Sequence, residues 1–156
     1  MAWALFRHPI YVTAQWAHSR GKADKDPSFR IRPAIDALQA CVGPISRVLD
    51  LGPRNGIEPR LLRDAFGSVD AFDLVPRDGI RFGDMHNLPC ADNAYDAAVL
   101  SHVLEHALSL RRAAGEIARV VRPGGVLWVA VPRAERPTMH DRQLFSTVAD
   151  VVRPFW

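Results

Sequence analysis

Between Arg47 and Pro132 the sequence alternates short apolar runs with stretches of helical periodicity, and no other feature restricts the possible folds as strongly. Parallel strands can be joined only by a crossover, most often a helix, so this alternation marks consecutive βαβ units feeding a parallel sheet. Arg47–Leu51 reads as the first strand and closes on a Gly/Pro/Asn cluster. Ile57–Phe66 has helical spacing at Leu61, Leu62, Ala65 and Phe66, and Gly67 stops it. Val69–Asp73 is the second strand, Gly79–Phe82 a weak third, and Tyr95–Leu100, apolar almost throughout, a central fourth. Leu108–Val121 reads as an arginine-decorated helix ended by Pro123-Gly124-Gly125, after which Val126–Val131 supplies a fifth buried strand.

The flanks follow other rules. Residues 1–43 distribute Trp3, Phe6, Tyr11, Trp16 and Phe29 among polar residues, then place Pro33 where the first turn of a helix reaching about Cys41 tolerates it. This segment is expected to form a helical cap, with Lys22–Pro27 as a mobile loop. Residues 133–156 have room for one more helix, Gln143–Val152. With 156 residues, 48% of them hydrophobic, the cap, the core (44–132) and the tail are expected to share one domain.

Composition narrows the class of function. Two cysteines far apart, without metal-finger spacing, argue against a disulfide framework or structural zinc and favour a reducing, cytoplasmic compartment. The amino-terminal apolar run is too short for a signal sequence, and no stretch approaches the roughly 18 apolar residues of a membrane span. The formal charge is +3, but the basic residues are interleaved with acids, which disfavours a nucleic-acid partner.

A strand that ends in Asp50-Leu51-Gly52-Pro53-Arg54-Asn55-Gly56 and runs into a helix can lay a ligand against backbone, because glycine permits close approach and the helix start offers unpaired N–H groups. Asp73, about 20 residues on at the end of the next strand, can accept both hydroxyls of a ribose. Four blocks, VLDLGPRNG, DAFDLVP, GDMHNLPCADNAYDAAVLSHVLEH and RVVRPGGVLWVAVP, resemble in order and spacing the class I S-adenosylmethionine-dependent methyltransferases, in particular their small-molecule, type-11-like group. The resemblance covers residues 45–132. It implies a Rossmann-like, doubly wound α/β sheet of about five parallel strands in the order 3-2-1-4-5, with helices on both faces and without the last two strands of the usual seven.

The resemblance also implies site roles. Asp50, Gly52, Pro53, Arg54 and Gly56 would border the methionine part of S-adenosylmethionine, Asp73 and Leu74 the ribose, and Asp84 and Met85 the adenine. Ser101 and His102 would open onto the methyl group. Plainer readings stand beside these: Asp50 or Asp84 capping a turn, Met85 in the core, His102 as a satisfied polar residue at a strand end. Arg54 occupies the family's middle glycine, where it either obstructs the site or pairs with the cofactor's carboxylate. His102-Val103-Leu104-Glu105-His106 also fits the zinc-protease pattern H-x-x-E-H, but it follows a buried strand instead of lying within a long helix, so no metal is expected.

These residues imply transfer of a methyl group to a small-molecule acceptor, with S-adenosylhomocysteine as product. His102 is the candidate base, with His106 and His140 behind it. The alternative is a non-catalytic methyltransferase-like module that binds cofactor or a partner. An uncovered fifth strand would invite pairing, so a homodimer through that edge or through the cap is expected.

Overall fold

The computed structural model describes residues 28–41, 43–53, 55–132 and 141–156. The aromatic positions Trp3 to Trp16, the loop Lys22–Pro27, Arg54 and His140 lie outside the described residues. Helix α1 (Ser28–Gln39) leads into β1 (Arg47–Leu51), α2 (Ile57–Phe66), β2 (Ser68–Asp73), β3 (Arg81–Phe82) and β4 (Tyr95–Ser101). A 3-10 turn (Leu104–His106), α3 (Leu110–Val120), β5 (Val121–Ala130), α4 (Val148–Val152) and a last 3-10 turn (Arg153–Phe155) follow. The five strands form one sheet ordered β3-β2-β1-β4-β5, every pair parallel, as the sequence implied.

The order places β1 at the centre: α2 carries the chain to one side of it, and the return to β4 carries it to the other. Right-handed crossovers in opposite directions put their helices on opposite faces. Side chains alternate along β1 accordingly. Val48 packs with Ile31, Leu38 and Leu62 of α1 and α2, while Leu49 and Leu51 pack with Ala113, Ile117 and Val120 of α3. β4 repeats the division, Ala97 and Val99 on the first face, Ala98 and Leu100 on the second. Each of the wholly buried Ile31, Leu49, Leu62, Leu100 and Ile117 contributes about 1.5–3 kcal/mol by leaving water.

At the amino-terminal end of the sheet Asp96 fastens three strands. Its Oδ2 accepts from the N–H groups of Ser46 and Arg47, each at 2.9 Å, and from the Ser46 hydroxyl at 3.0 Å, while Oδ1 accepts from Arg122 Nε at 2.7 Å. Among the described residues β5 has a strand neighbour on one side only, and no helix is long and apolar enough to cross a membrane.

Several expected boundaries need correction. Helix α1 starts at Ser28 and carries Pro33 inside it. Proline there forgoes one bond to a preceding carbonyl, and the burial of Ile31, Ala34 and Leu38 offsets that loss. Helix α3 is shorter than Leu108–Val121, because Ser109 caps it by accepting from the Arg112 N–H. Pro123-Gly124-Gly125 does not end that helix; it lies inside β5, where the register against β4 shifts from Tyr95↔Val121 to Ala97↔Val126. Five residues of β5 thus advance against two of β4, a bulge that only glycine allows: Gly124 has φ 75°, and a Cβ on Gly125 would stand 2.5 Å from Val121 Cγ1 and 2.8 Å from the carbonyl oxygens of Arg122 and Asp96. The third strand shrinks to Arg81–Phe82, since Ile80 instead bridges back to Arg77. The tail helix covers only Val148–Val152, set by a capping box between Thr147 and Asp150, because Gln143 uses its side chain on the Ala107 carbonyl at 2.8 Å.

Candidate functional site at the carboxyl ends of the central strands

The chain leaves neighbouring strands β1 and β4 in opposite directions, and the carboxyl edge at such a switch point is where open α/β sheets bind ligands. Gly52 sits at this edge with φ 70°, and a Cβ there would stand 2.3 Å from Val103 Cγ2, so the turn after β1 lies directly against the turn after β4. The Gly52 N–H still bonds the Phe72 carbonyl at 2.8 Å, and Pro53 beside it is buried. Asn55 Oδ1 accepts from the Ile57 N–H at 3.1 Å. Gly56 caps α2 with no side-chain bond, and a Cβ on it would touch the Asp78 carbonyl at 3.0 Å.

Polar atoms without partners collect at this edge. Asp50 is wholly buried, flanked in register by Ala71 and Val99, and neither of its carboxylate oxygens is hydrogen-bonded. Burial raises its pKa well above the usual carboxylate range, the charge of Glu58 adds to this, Arg63 opposes it and Asp73 adds again. The Ser101 hydroxyl at the end of β4 is likewise buried and unbonded. Buried polar atoms are nearly always satisfied, so two unbonded groups on neighbouring strand ends make this edge the candidate ligand site.

Asp73 ends β2 half-buried. Burial raises its pKa, against the opposing effects of the Val75 N–H, which bonds Oδ1 at 2.7 Å, and of the Arg77 and His106 charges. Leu74, next to it, is also half-buried. Asp84 takes part of the plainer role foreseen for it: Oδ1 accepts from the His86 N–H at 2.9 Å and lies 2.6 Å from His86 Nδ1. Burial works to raise the Asp84 pKa, yet the bonds and charge of His86 hold it below the usual range. Met85 belongs to the core cluster with Leu49, Leu51 and Phe72.

His102 has φ 54°, a left-handed conformation unusual outside glycine, and its N–H bonds the Ala130 carbonyl at 2.8 Å. Its ring is 34% exposed, with Nδ1 3.6 Å from Glu105 Oε1. His106 Nδ1 lies 3.5 Å from Asp141 Oδ1. The segment from 104 to 106 is a single 3-10 turn, so the helical geometry that makes H-x-x-E-H a zinc motif is not formed. The side chains brought together are instead Glu105, His106 and Asp141, one ligand atom of each lying within 4.8 Å of the others.

Residues 15–152 match the family described as a methyltransferase domain. The chain belongs to the class I S-adenosylmethionine-dependent methyltransferase family. Demethylmenaquinone methyltransferase of Paenarthrobacter aurescens is 36% identical to this methyltransferase domain over 110 residues, covering 64% of the chain and 43% of the relative. Malonyl-[acyl-carrier protein] O-methyltransferase of Pectobacterium atrosepticum is 36% identical over 108 residues, covering 62% of the chain and 40% of the relative. The methyltransferase domain thus spans less than half the length of these curated relatives. The crystal structure of Burkholderia thailandensis 1,6-didemethyltoxoflavin-N1-methyltransferase, with bound 1,6-didemethyltoxoflavin and S-adenosylhomocysteine, shares the fold: TM-score 0.63 at 21% identity, over 77% of this chain and 60% of that one.

Four residues at the site of this methyltransferase domain escaped the sequence reading. Glu58, in the first turn of α2, is buried, and its charge acts on Asp50. Val103 and His86 act through contacts that no local pattern announces. Asp141 arrives from far along the chain.

Proposed function

We propose that the domain binds S-adenosylmethionine across the ends of β1, β2 and β4 and transfers its methyl group to a small-molecule acceptor, releasing S-adenosylhomocysteine. One observation carries this reading: the buried, unbonded oxygens of Asp50 and Ser101 beside a glycine turn that no side chain could occupy. Leaving such groups unpaired costs about 1–3 kcal/mol each, and a polar ligand removes that cost. Asp50, Gly52, Pro53 and Gly56 would hold the amino-acid end, Asp73 and Leu74 the ribose, and Asp84 with Met85 the adenine edge. When bound, the cofactor supplies a methyl group activated by sulfonium charge. The chain's own task is to align the acceptor in line with that methyl and to keep water away, which Val103 and Leu104, both buried at the exit of β4, serve. His102 would take the acceptor's proton; its strained backbone holds an exposed ring at the strand end, and such strain clusters at functional sites.

Calorimetry with S-adenosylmethionine and S-adenosylhomocysteine is expected to show one site per folded chain; no heat with either would remove the reading. Transfer of labelled methyl to a metabolite extract then separates an enzyme from a binding module. His102→Ala should lower turnover about 100-fold or more while cofactor affinity stays near wild type, and unchanged turnover excludes the role. Two relatives are named for demethylmenaquinone and for malonyl-acyl-carrier protein, two unlike substrates, so the labelled-methyl transfer is read across a whole extract. The free cysteines Cys41 and Cys90 suit a reducing cytoplasm. Among the described residues β5 has no second strand neighbour, which makes a homodimer the proposed assembly, and sedimentation showing only monomer at high concentration would end that proposal.

A further inference from the structure

Beyond β4 a group of side chains meets that methyl transfer leaves unused. Glu105 lies in the 3-10 turn with its side chain 4% exposed, and its Oε2 has no hydrogen-bond partner. No lysine or arginine among the described residues forms an ion pair with it; its near neighbour is His102 Nδ1, 3.6 Å from Oε1. A buried carboxylate in that position is costly unless a cation reaches it. The same carboxylate belongs to the group in which one ligand atom each from Glu105, His106 and Asp141 lies within 4.8 Å of the others, with 3.5 Å between His106 Nδ1 and Asp141 Oδ1. Two atoms that share one ion at ordinary ligand distances stand about 3–4 Å apart, so a small closure brings all three into range.

The scaffold for this group does not depend on an ion. The N–H groups of Arg142 and Gln143 both bond the Glu105 carbonyl, at 2.6 and 2.9 Å, and Gln143 Nε2 bonds the Ala107 carbonyl at 2.8 Å. Main-chain bonds therefore hold the segment carrying Asp141 against the turn carrying Glu105 and His106. We propose that Glu105, His106 and Asp141 bind one divalent cation of the zinc or manganese type. Two carboxylates and an imidazole form a hard-to-borderline set, suited to those ions and not to soft, thiolate-seeking ones. The ion would satisfy Glu105 Oε2 and clamp residues 141–143 to the exit of β4. This departs from the sequence expectation of no metal, and also from the H-x-x-E-H pattern: Asp141 replaces His102, and Glu105 is a ligand instead of a base.

The full chain, stripped with chelator and exchanged into metal-free buffer without cofactor, is titrated with Zn2+ and separately with Mn2+ in a calorimeter. One equivalent per chain is expected, with a rise in melting temperature. Asp141→Asn and Glu105→Gln should each weaken binding about tenfold or more at unchanged circular dichroism, while His102→Ala leaves it little altered. Failure of either ion to bind saturably to the folded wild-type chain overturns the proposal. So does loss of binding in His102→Ala with retention in Asp141→Asn, which would give the ion to the sequence motif. Should Glu105→Gln not fold, wild type and Asp141→Asn decide. No cofactor is present, so the result is independent of the methyl-transfer reading.

Discussion

Asp50, buried at the end of β1 with neither oxygen bonded, has its pKa raised because ionising it away from water is costly, with the Glu58 charge adding to this and Arg63 opposing it. Its pKa is raised in the folded chain, so as pH climbs above about 4 the unfolded chain gives up this proton while the folded chain keeps it, and stability falls until the folded group also ionises. Asparagine has nearly the shape of the neutral acid and no such proton to lose. Asp50→Asn is therefore expected to unfold at an equal or higher urea concentration than wild type at pH 7 without cofactor, and to lose binding of S-adenosylmethionine. A clearly lower urea midpoint would mean that Asp50 supports the fold and is not a group held in readiness for a ligand. The trade of stability for binding is common at functional sites. His102 belongs with it: a left-handed histidine is unfavourable, and it stands at the end of β4 with its ring partly exposed.

At the scale of elements, β5 shows what the bulge requires. Gly124 and Gly125 look equivalent in sequence, yet a Cβ on Gly124 meets nothing within 4 Å, whereas one on Gly125 collides with three atoms of Val121, Arg122 and Asp96. Gly124→Ala should cost about 1 kcal/mol for its positive φ, and Gly125→Ala about 2–3 kcal/mol from overpacking. Equal losses in urea unfolding would disprove this placement of the bulge. The contrast also shows what was legible in the sequence. The parallel sheet was, through βαβ alternation, and its strand order through the family that the motif blocks resemble; Val48, Leu49, Ala97 and Ala98 alternate faces as a doubly covered sheet demands. The start of β5 was not, because Pro-Gly-Gly serves equally as a helix stop and as a bulge, and only the pairing with β4 separates the two. The same holds at the site: Asp50, Gly52 and Asp73 are announced by a strand, a turn and a spacing, but Glu58 and Asp141 reach it through tertiary packing alone.

At the scale of the whole molecule, carboxyl groups at the two ends of the central strands are shifted in opposite directions. At the amino end every oxygen of Asp96 is bonded, and Arg122, with the N–H groups of Ser46 and Arg47, holds its pKa far below the usual carboxylate range. On the helix beside that end, Arg119 lowers Glu116 in the same way against the opposing effect of burial. At the carboxyl ends of β1 and β2 Asp50 and Asp73 are raised, while at Asp84, beyond β3, burial is outweighed by the bonds and charge of His86 and the pKa is lowered. The signs give opposite limbs of a stability curve. Lowered groups stabilise the fold above their unfolded pKa, near 4, and that contribution is lost as pH falls through their folded values; raised groups erode stability as pH climbs from about 4 through theirs. Without ligand the contribution of these groups should therefore peak at about pH 4–5, where the two limbs meet. Asp96→Asn keeps the shape but not the charge, so it should lower stability at pH 6 by about 2 kcal/mol and flatten the decline below pH 4, leaving the alkaline limb unchanged. Asp50→Asn should do the reverse, flattening the alkaline limb alone. Urea unfolding of the three chains from pH 3 to 8 checks both; curves that run parallel at every pH would show that neither carboxyl titrates between the folded and unfolded chain, and the division into a stabilising end and a binding end would fall.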